Sequence, residues 1–179
     1  MAQIVVVTGF SRIGYEQYGK QFIDTFARYA PDDIDLVVYA PRQVKMPRGR
    51  CALHKELSGV QEFIDRNQGN PERCGRSYVR GWRSKDERAG YSYRFDAVRF
   101  CWQLFYPEHA SRSLPDGAIL VWFDGDVVFN APIDTNYIET GLRDADLMFL
   151  GRRTHTELGF WAVRLNQTTR AFLRKLTET

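Results

Sequence analysis

The sequence predicts an α/β protein with a largely parallel sheet flanked by helices. Three observations lead there. "IVVVTG", residues 4 to 9, is an apolar run that enters a glycine turn and then a helical pattern, as a strand-to-helix unit does. "GAILVWF", residues 117 to 123, is apolar without alternation. A strand covered on both faces in the middle of such a sheet has that composition. Around these two, strand-like runs alternate with segments of helical period, the order that builds parallel sheets.

Residues 3 to 8 read as the first strand. From Tyr15 to Ala30 the residues Tyr18, Phe22, Ile23, Phe26 and Tyr29 fall at helical spacing, and Pro31 ends the helix. Gly19 within it costs ~1 kcal/mol against alanine, which points to close packing there. "IDLVVYA", 34 to 40, is a second strand; "APRQVKMPRGR" is a loop; a short helix spans about 56 to 67. Residues 68 to 92 lack a period and carry Arg73, Arg76, Arg80, Arg83 and Arg88. A loop of that length is usually functional or mobile. "YRFDAVRFCWQLFY" is a helix apolar almost all round, hence buried. The motif strand at 117 to 123 is followed by a helix near 135 to 143, strands at 146 to 150 and 159 to 164, and a terminal helix from Thr168. No internal repeat is present, and 179 residues suit a single domain over positions 1 to 179.

Composition excludes several classes. With 44% hydrophobic and 14% aromatic residues the chain is globular. No apolar run approaches the ~18 residues of a membrane span. "MAQIVVVTG" reads as a strand and not as a signal peptide, so the expected location is cytoplasmic. Cys51, Cys74 and Cys101 are odd in number and lack metal-ligand or redox spacing, which fits reduced thiols, with Cys101 in the core. The net charge of +3 is mild, and no nucleic-acid motif accompanies the basic loop.

The first turn invites a dinucleotide reading and then withholds it. Thr8, Gly9, Ile13 and Gly14 approach the turn of short-chain dehydrogenases, but the middle glycine that admits a pyrophosphate is absent. Tyr15, Glu16 and Gln17 follow where small residues are needed, and no Tyr-x-x-x-Lys pair occurs. Arg42, which suits a 2′-phosphate, is the single supporting feature. A plain strand-to-helix turn accounts for both glycines.

The sharpest signal is "ILVWFDGDVVF". Asp124 and Asp126 stand one residue apart where a buried strand leaves the core. Open α/β sheets bind ligands at that end of their strands. Strand alternation would aim both carboxylates at one spot, and two converging carboxylates repel unless a cation or proton joins them. Gly125 leaves room for a close ligand. A divalent ion bridging carboxylates and substrate phosphates satisfies this pattern; a turn capped by two aspartates is the plainer alternative.

At these residues the chain resembles the glycosyltransferases of the GT-A fold, in the nucleotide-diphospho-sugar transferase superfamily, whose motif is an apolar strand ending in Asp-x-Asp. "GYEQYGKQFIDTFARYAPDDIDLVVYA", "YRFDAVRFCWQLF" and "TELGFWAVRLNQ" are similar to the family's nucleotide-binding opening, the helix before the motif strand and the acceptor-side segment. The resemblance implies a GT-A-like, Rossmann-like fold and a nucleoside diphosphate sugar donor with a hydroxyl acceptor. It implies Mn²⁺ or Mg²⁺ held directly by Asp126, with Asp124 on the ribose or a metal-bound water. Thr8, Gly9 and Phe10 would line the base and ribose pocket, and Arg94 and Asp96 would lie near the nucleotide. Glu157 would face the acceptor and, in an inverting enzyme, take its hydroxyl proton. Arg94 and Asp96 also read as a helix-start ion pair, and Glu157 as a solvated charge. The arginines of residues 73 to 88 read either as a lid over the diphosphate or as solvated surface. Family members often add a histidine ligand from a later segment; here the chain ends at "AFLRKLTET", and His155 is the nearby histidine.

Two other classes compete. Asp124, Asp126 and Val128 also match the Asp-x-Asp-x-Val string of haloacid-dehalogenase-like phosphatases, in which the first aspartate is the nucleophile. Those proteins carry the motif near the N-terminus with a lysine well downstream; here it falls late, and Lys175 is the later lysine. The third class is a nucleotide-sugar-binding module without turnover.

Overall fold

The computed structural model describes residues 2–57, 59–75, 95–153 and 156–178. In chain order the elements are β1 (Ile4–Gly9), α1 (Arg12–Gly14), a π-helical turn (Tyr15–Gly19), α2 (Lys20–Tyr29), β2 (Ile34–Ala40) and β3 (Arg50–Leu53). A 3₁₀ turn (His54–Glu56), α3 (Val60–Asn67), α4 (Ala97–Phe100), α5 (Trp102–Ser111) and β4 (Ile119–Phe123) follow. The order closes with α6 (Thr135–Gly141), β5 (Leu147–Gly151), β6 (Thr156–Arg164) and α7 (Gln167–Thr177).

The strands form one sheet in the order β3-β2-β1-β4-β6-β5. The first four are parallel. β6 runs antiparallel to β4, and β5 antiparallel to β6. The chain steps outward from β1 to β2 and β3, then returns to β4 on the other side of β1. The carboxyl ends of β1 and β4 therefore flank a topological switch point, where open α/β sheets bind ligands.

Alternation along the strands divides the core between the two faces. Val6, Phe10, Phe22 and Val121 belong to one cluster, and Val7, Tyr39, Leu120 and Trp122 to the other. β1 and β4 feed both clusters, which is why neither alternates with polar residues. Cys101 is buried as expected, and its thiol is pushed up to about 12 by that burial.

The structure departs from the sequence reading in local detail. β3 replaces the end of the expected loop; its four residues are too few to show a period. Gly49 before it has φ +75°, and a Cβ there would lie 2.0 Å from the Leu36 carbonyl oxygen. The first helical segment starts at Arg12, where the Ser11 hydroxyl accepts the Gly14 N–H at 2.9 Å. Gly19 packs against the Phe10 ring, with a Cβ position only 2.9 Å from it, so the expected close contact is present. The helix expected to be buried breaks at Cys101 into α4, none of whose residues is buried, and α5, whose buried residues begin at Phe105 and which continues through Pro107 to Ser111. Arg170 on α7 donates to the carbonyls of Ser111 and Leu114 and pairs with Asp116 at 3.1 Å, tying the terminal helix to the turn that introduces β4. Among the described residues no helix is long and apolar enough to cross a membrane.

Candidate functional site

β4 ends at Phe123, so the two aspartates stand in a turn and not on a strand. The Val127 N–H donates to the Asp124 carbonyl at 3.1 Å, while the Asp124 N–H donates to the Gly159 carbonyl at 2.9 Å. Asp124 is thereby half-buried beside β6, and Asp126 is exposed. Gly125 is required for a reason other than ligand access. A Cβ there would lie 2.6 Å from the Phe10 ring and 2.9 Å from the Gly9 carbonyl oxygen, so the end of β4 presses against the end of β1.

The Asp124 carboxylate is held in place. The Trp122 indole N–H donates to its Oδ1 at 2.9 Å. Burial raises its pKa above the ordinary aspartate value; the Trp122 bond opposes that, and the charges of Asp126 and Glu157 add to it. Three carboxylates thus share one electrostatic neighbourhood.

Glu157 arrives there through an irregularity. On β5, Phe149 pairs with Trp161 and the next residue, Leu150, pairs with Glu157. Leu158, Gly159 and Phe160 therefore stand outside the β5 ladder, although Phe160 still pairs with Phe123 of β4. Bulges of this kind re-aim side chains beside functional sites. Glu157 Oε1 accepts the Gly159 N–H at 3.2 Å, and Oε2 forms an ion pair with the Arg152 guanidinium. A Cβ on Gly159 would lie 3.3 Å from both Asp124 Oδ2 and Glu157 Oε1. The two carboxylates face each other across that glycine.

These groups open into a cleft of about 880 Å³, whose acidic end holds Asp124, Asp126 and Glu157 with Arg152. Among the described residues no group of three or more His, Cys, Asp or Glu side chains is placed to hold a metal. Magnesium, however, commonly takes one or two carboxylates and completes its shell with water and substrate phosphates. The repulsion that Asp126 and Glu157 impose on Asp124 is what a cation would relieve, so the donor set fits that mode of binding.

The remaining expected residues are placed as follows. Thr8 and Phe10 are 0% and 1% exposed, so their side chains belong to the core and not to an open pocket wall. The Thr8 hydroxyl finds no hydrogen-bond partner among the described residues. Gly9 packs on the Tyr106 ring, with no space for a Cβ. Asp96 caps α4, accepting the Arg99 N–H at 2.8 Å, and does not line the cleft. Arg42 pairs with Glu16 at 2.8 Å. Arg73 donates to Asn67 at 3.2 Å. Arg94, His155 and the arginines at 76, 80, 83 and 88 lie outside the described residues.

Sequence reasoning missed Trp122, Arg152 and Gly159. Trp122 carried a usable signal, since residues two apart on a strand share a face. Beside it lies an aromatic stack: Tyr106 lies over Tyr39 with centroids 4.5 Å apart and approaches Trp122 at 6.1 Å. The Tyr106 hydroxyl bonds His54 at 3.0 Å, and Tyr39 bonds His109 at 2.7 Å. Burial lowers the pKa of both imidazoles, favouring their neutral forms.

No family model matches the sequence, and no curated protein matches it significantly. The fold is similar to that of mouse xyloside xylosyltransferase 1 in its apo form, with a TM-score of 0.52 and 8% sequence identity, over 98% of this chain and 75% of that one. The chain thus has a mixed α/β fold, a six-stranded sheet flanked by helices, as the sequence predicts, and shares that fold with this neighbour. Shared fold does not carry function, which has to be argued from the site.

Proposed function

We propose that the protein is a metal-dependent glycosyltransferase that moves a sugar from a nucleoside diphosphate sugar to a hydroxyl acceptor. The observation that carries this reading is Asp124. It is a half-buried carboxylate, fixed by an indole N–H and crowded by Asp126 and Glu157, at the switch-point end of the central strand.

Asp126 and the Oδ2 side of Asp124 would hold Mn²⁺ or Mg²⁺. When bound, such an ion neutralises the charge of a departing diphosphate. Trp122 keeps Asp124 from rotating away. Glu157 would take the acceptor proton. To do so through Oε2 it must part from Arg152, whose guanidinium meanwhile fixes the carboxylate's direction.

The test is a panel of nucleotide sugars in a thermal-shift assay with and without Mn²⁺. A ligand that binds the folded chain raises its midpoint as its concentration exceeds Kd. At least one donor is expected to give a Mn²⁺-dependent rise that Asp126→Asn abolishes. Silence from every donor at concentrations well above typical substrate levels overturns the proposal.

A second reading, a nucleotide-sugar binder without turnover, is favoured by the engagement of both Glu157 oxygens. It keeps the shift and releases no sugar. The phosphatase alternative has less support: Lys175 lies on α7, pairs with Glu178 at 3.6 Å and does not line the cleft. Turnover of an aryl phosphate without any donor response would restore it.

A further inference from the structure

Away from its acidic end the cleft changes character. Its walls are built from Val127, Val128, Pro132, Ile133, Tyr137 and Leu150. Val128, Tyr137 and Leu150 are 45%, 54% and 41% exposed, so this apolar surface faces solvent instead of filling a core. The clustering is not general. Of nine large hydrophobic side chains exposed among the described residues, six (Val128, Tyr137, Leu147, Phe149, Leu150 and Leu158) come from the stretch that walls the cleft or forms its β5–β6 rim. Three of them, Val128, Tyr137 and Leu150, line the cleft itself, and apolar side chains left exposed together in one cavity mark a binding site.

Charge narrows the occupant. Among the described residues the cleft's charged side chains are Asp124, Asp126, Asp134 and Glu157, against the cation Arg152. The metal ion of the proposed reaction would offset that excess of negative charge for the donor's diphosphate, and would leave none to spare for an anionic acceptor. An oligosaccharide would need hydrogen-bonding side chains along its length, and the apolar wall offers few.

We propose that the acceptor is an uncharged amphiphile: a hydroxyl-bearing head presented to Glu157, attached to an aryl or alkyl body that lies on the Val128–Tyr137–Leu150 wall. This rests on the glycosyltransferase reading for the identity of the head group, and on the cleft itself for the body. The continuity of the apolar wall with the carboxylates in one cavity joins the two. A volume of about 880 Å³ falls in the usual range of small-molecule sites.

The experiment measures equilibrium binding of p-nitrophenyl, p-carboxyphenyl and methyl β-glucosides to the full chain by ligand-observed NMR. The p-nitrophenyl glycoside is expected to bind about tenfold or more tightly than the methyl glycoside, the scale on which apolar pockets discriminate added carbon. The p-carboxyphenyl glycoside is expected to bind more weakly than its p-nitrophenyl counterpart. Val128→Asp and Leu150→Asp, at exposed positions on different elements, are each expected to remove the aryl advantage without lowering the melting midpoint. Equal binding of aryl and methyl glycosides overturns the proposal. So does an aryl preference that survives both substitutions. Sedimentation that reveals self-association abolished by Val128→Asp, with no aryl binding, also overturns it and assigns the wall to a second copy of the chain. Donor shifts with Mn²⁺ are read on the same samples. Their absence alongside a retained, Val128-dependent aryl preference removes the glycosyltransferase reading and supports the apolar wall.

Discussion

β4 and β5 are both five-residue apolar strands, "ILVWF" and "LMFLG", and their surroundings are opposite. Four of the five β4 residues are buried, whereas no residue of β5 is. β4 lies between β1 and β6, with helices or loops over both faces; β5 is the sheet's edge. Hydrophobicity specifies a strand in both cases, but only the neighbours specify burial. The buried strand leads directly into Asp124, which Trp122 and Gly159 hold, and the exposed one contributes Leu150 to a solvent-exposed wall.

Truncation gives the largest contrast. Leu120→Ala, at a fully buried β4 position, is expected to cost about 2–5 kcal/mol in urea unfolding. Phe149→Ala, on a side chain 47% exposed, is expected to stay within about 1 kcal/mol of the parent. Equal losses at the two sites would mean that β5 is covered in solution, and the contrast would fail.

A smaller effect lies in the pH dependence of the metal-free protein. A carboxyl whose pKa is raised on folding binds its proton more firmly in the folded chain than in the unfolded one. Its favourable contribution is complete below the ordinary aspartate value and is lost as pH climbs through the raised one. Asp124 is such a group. Asp124→Asn should therefore gain in melting midpoint relative to the parent as pH rises from the normal carboxylate range toward neutrality. Added Mn²⁺ should narrow that gap by stabilising the parent alone. Parallel midpoint curves for the two proteins would show that Asp124 is not strained.

The smallest change in stability is expected at Gly159→Ala. The new methyl would meet Asp124 and Glu157 carboxylate oxygens at 3.3 Å, and flexible side-chain ends can give way. The unfolding free energy should shift by less than about 1 kcal/mol, while the Mn²⁺-dependent donor shift should weaken. An unchanged donor shift would indicate that the Asp124–Glu157 spacing is not used.

Much of this architecture was legible in the sequence because buried strands and amphipathic helices declare themselves through period. "IDLVVYA" coincides with β2, and "YRFDAVRFCWQLFY" contains most of the buried helix. β3 was not legible, since Arg50–Leu53 is too short and becomes a strand only by pairing with β2. The antiparallel addition of β6 was equally hidden, because strand direction depends on how connections fold back. At the site, Asp124, Asp126 and Glu157 were readable in order along the chain. The aspartate pair was expected to meet through strand alternation and instead sits in a turn after Phe123; the arrival of Glu157 beside it was hidden, since it depends on a jump in register between β5 and β6. The resemblance assigned Thr8 and Phe10 to a pocket; Thr8 is instead sealed within β1, and packing drew Phe10 inward against Gly19 and Gly125.

The extra residues Leu158–Phe160 have a consequence for how such a protein can change. A one-residue insertion or deletion inside a buried strand flips every later side chain to the other face unless a bulge absorbs it. The stretch answers to no β5 partner, but β4 holds it through Phe160 and the Gly159 carbonyl. A change of length toward β5 can be absorbed at this irregularity, whereas one toward β4 moves Asp124 itself, so the two sides of a single strand differ in how freely they can be retuned.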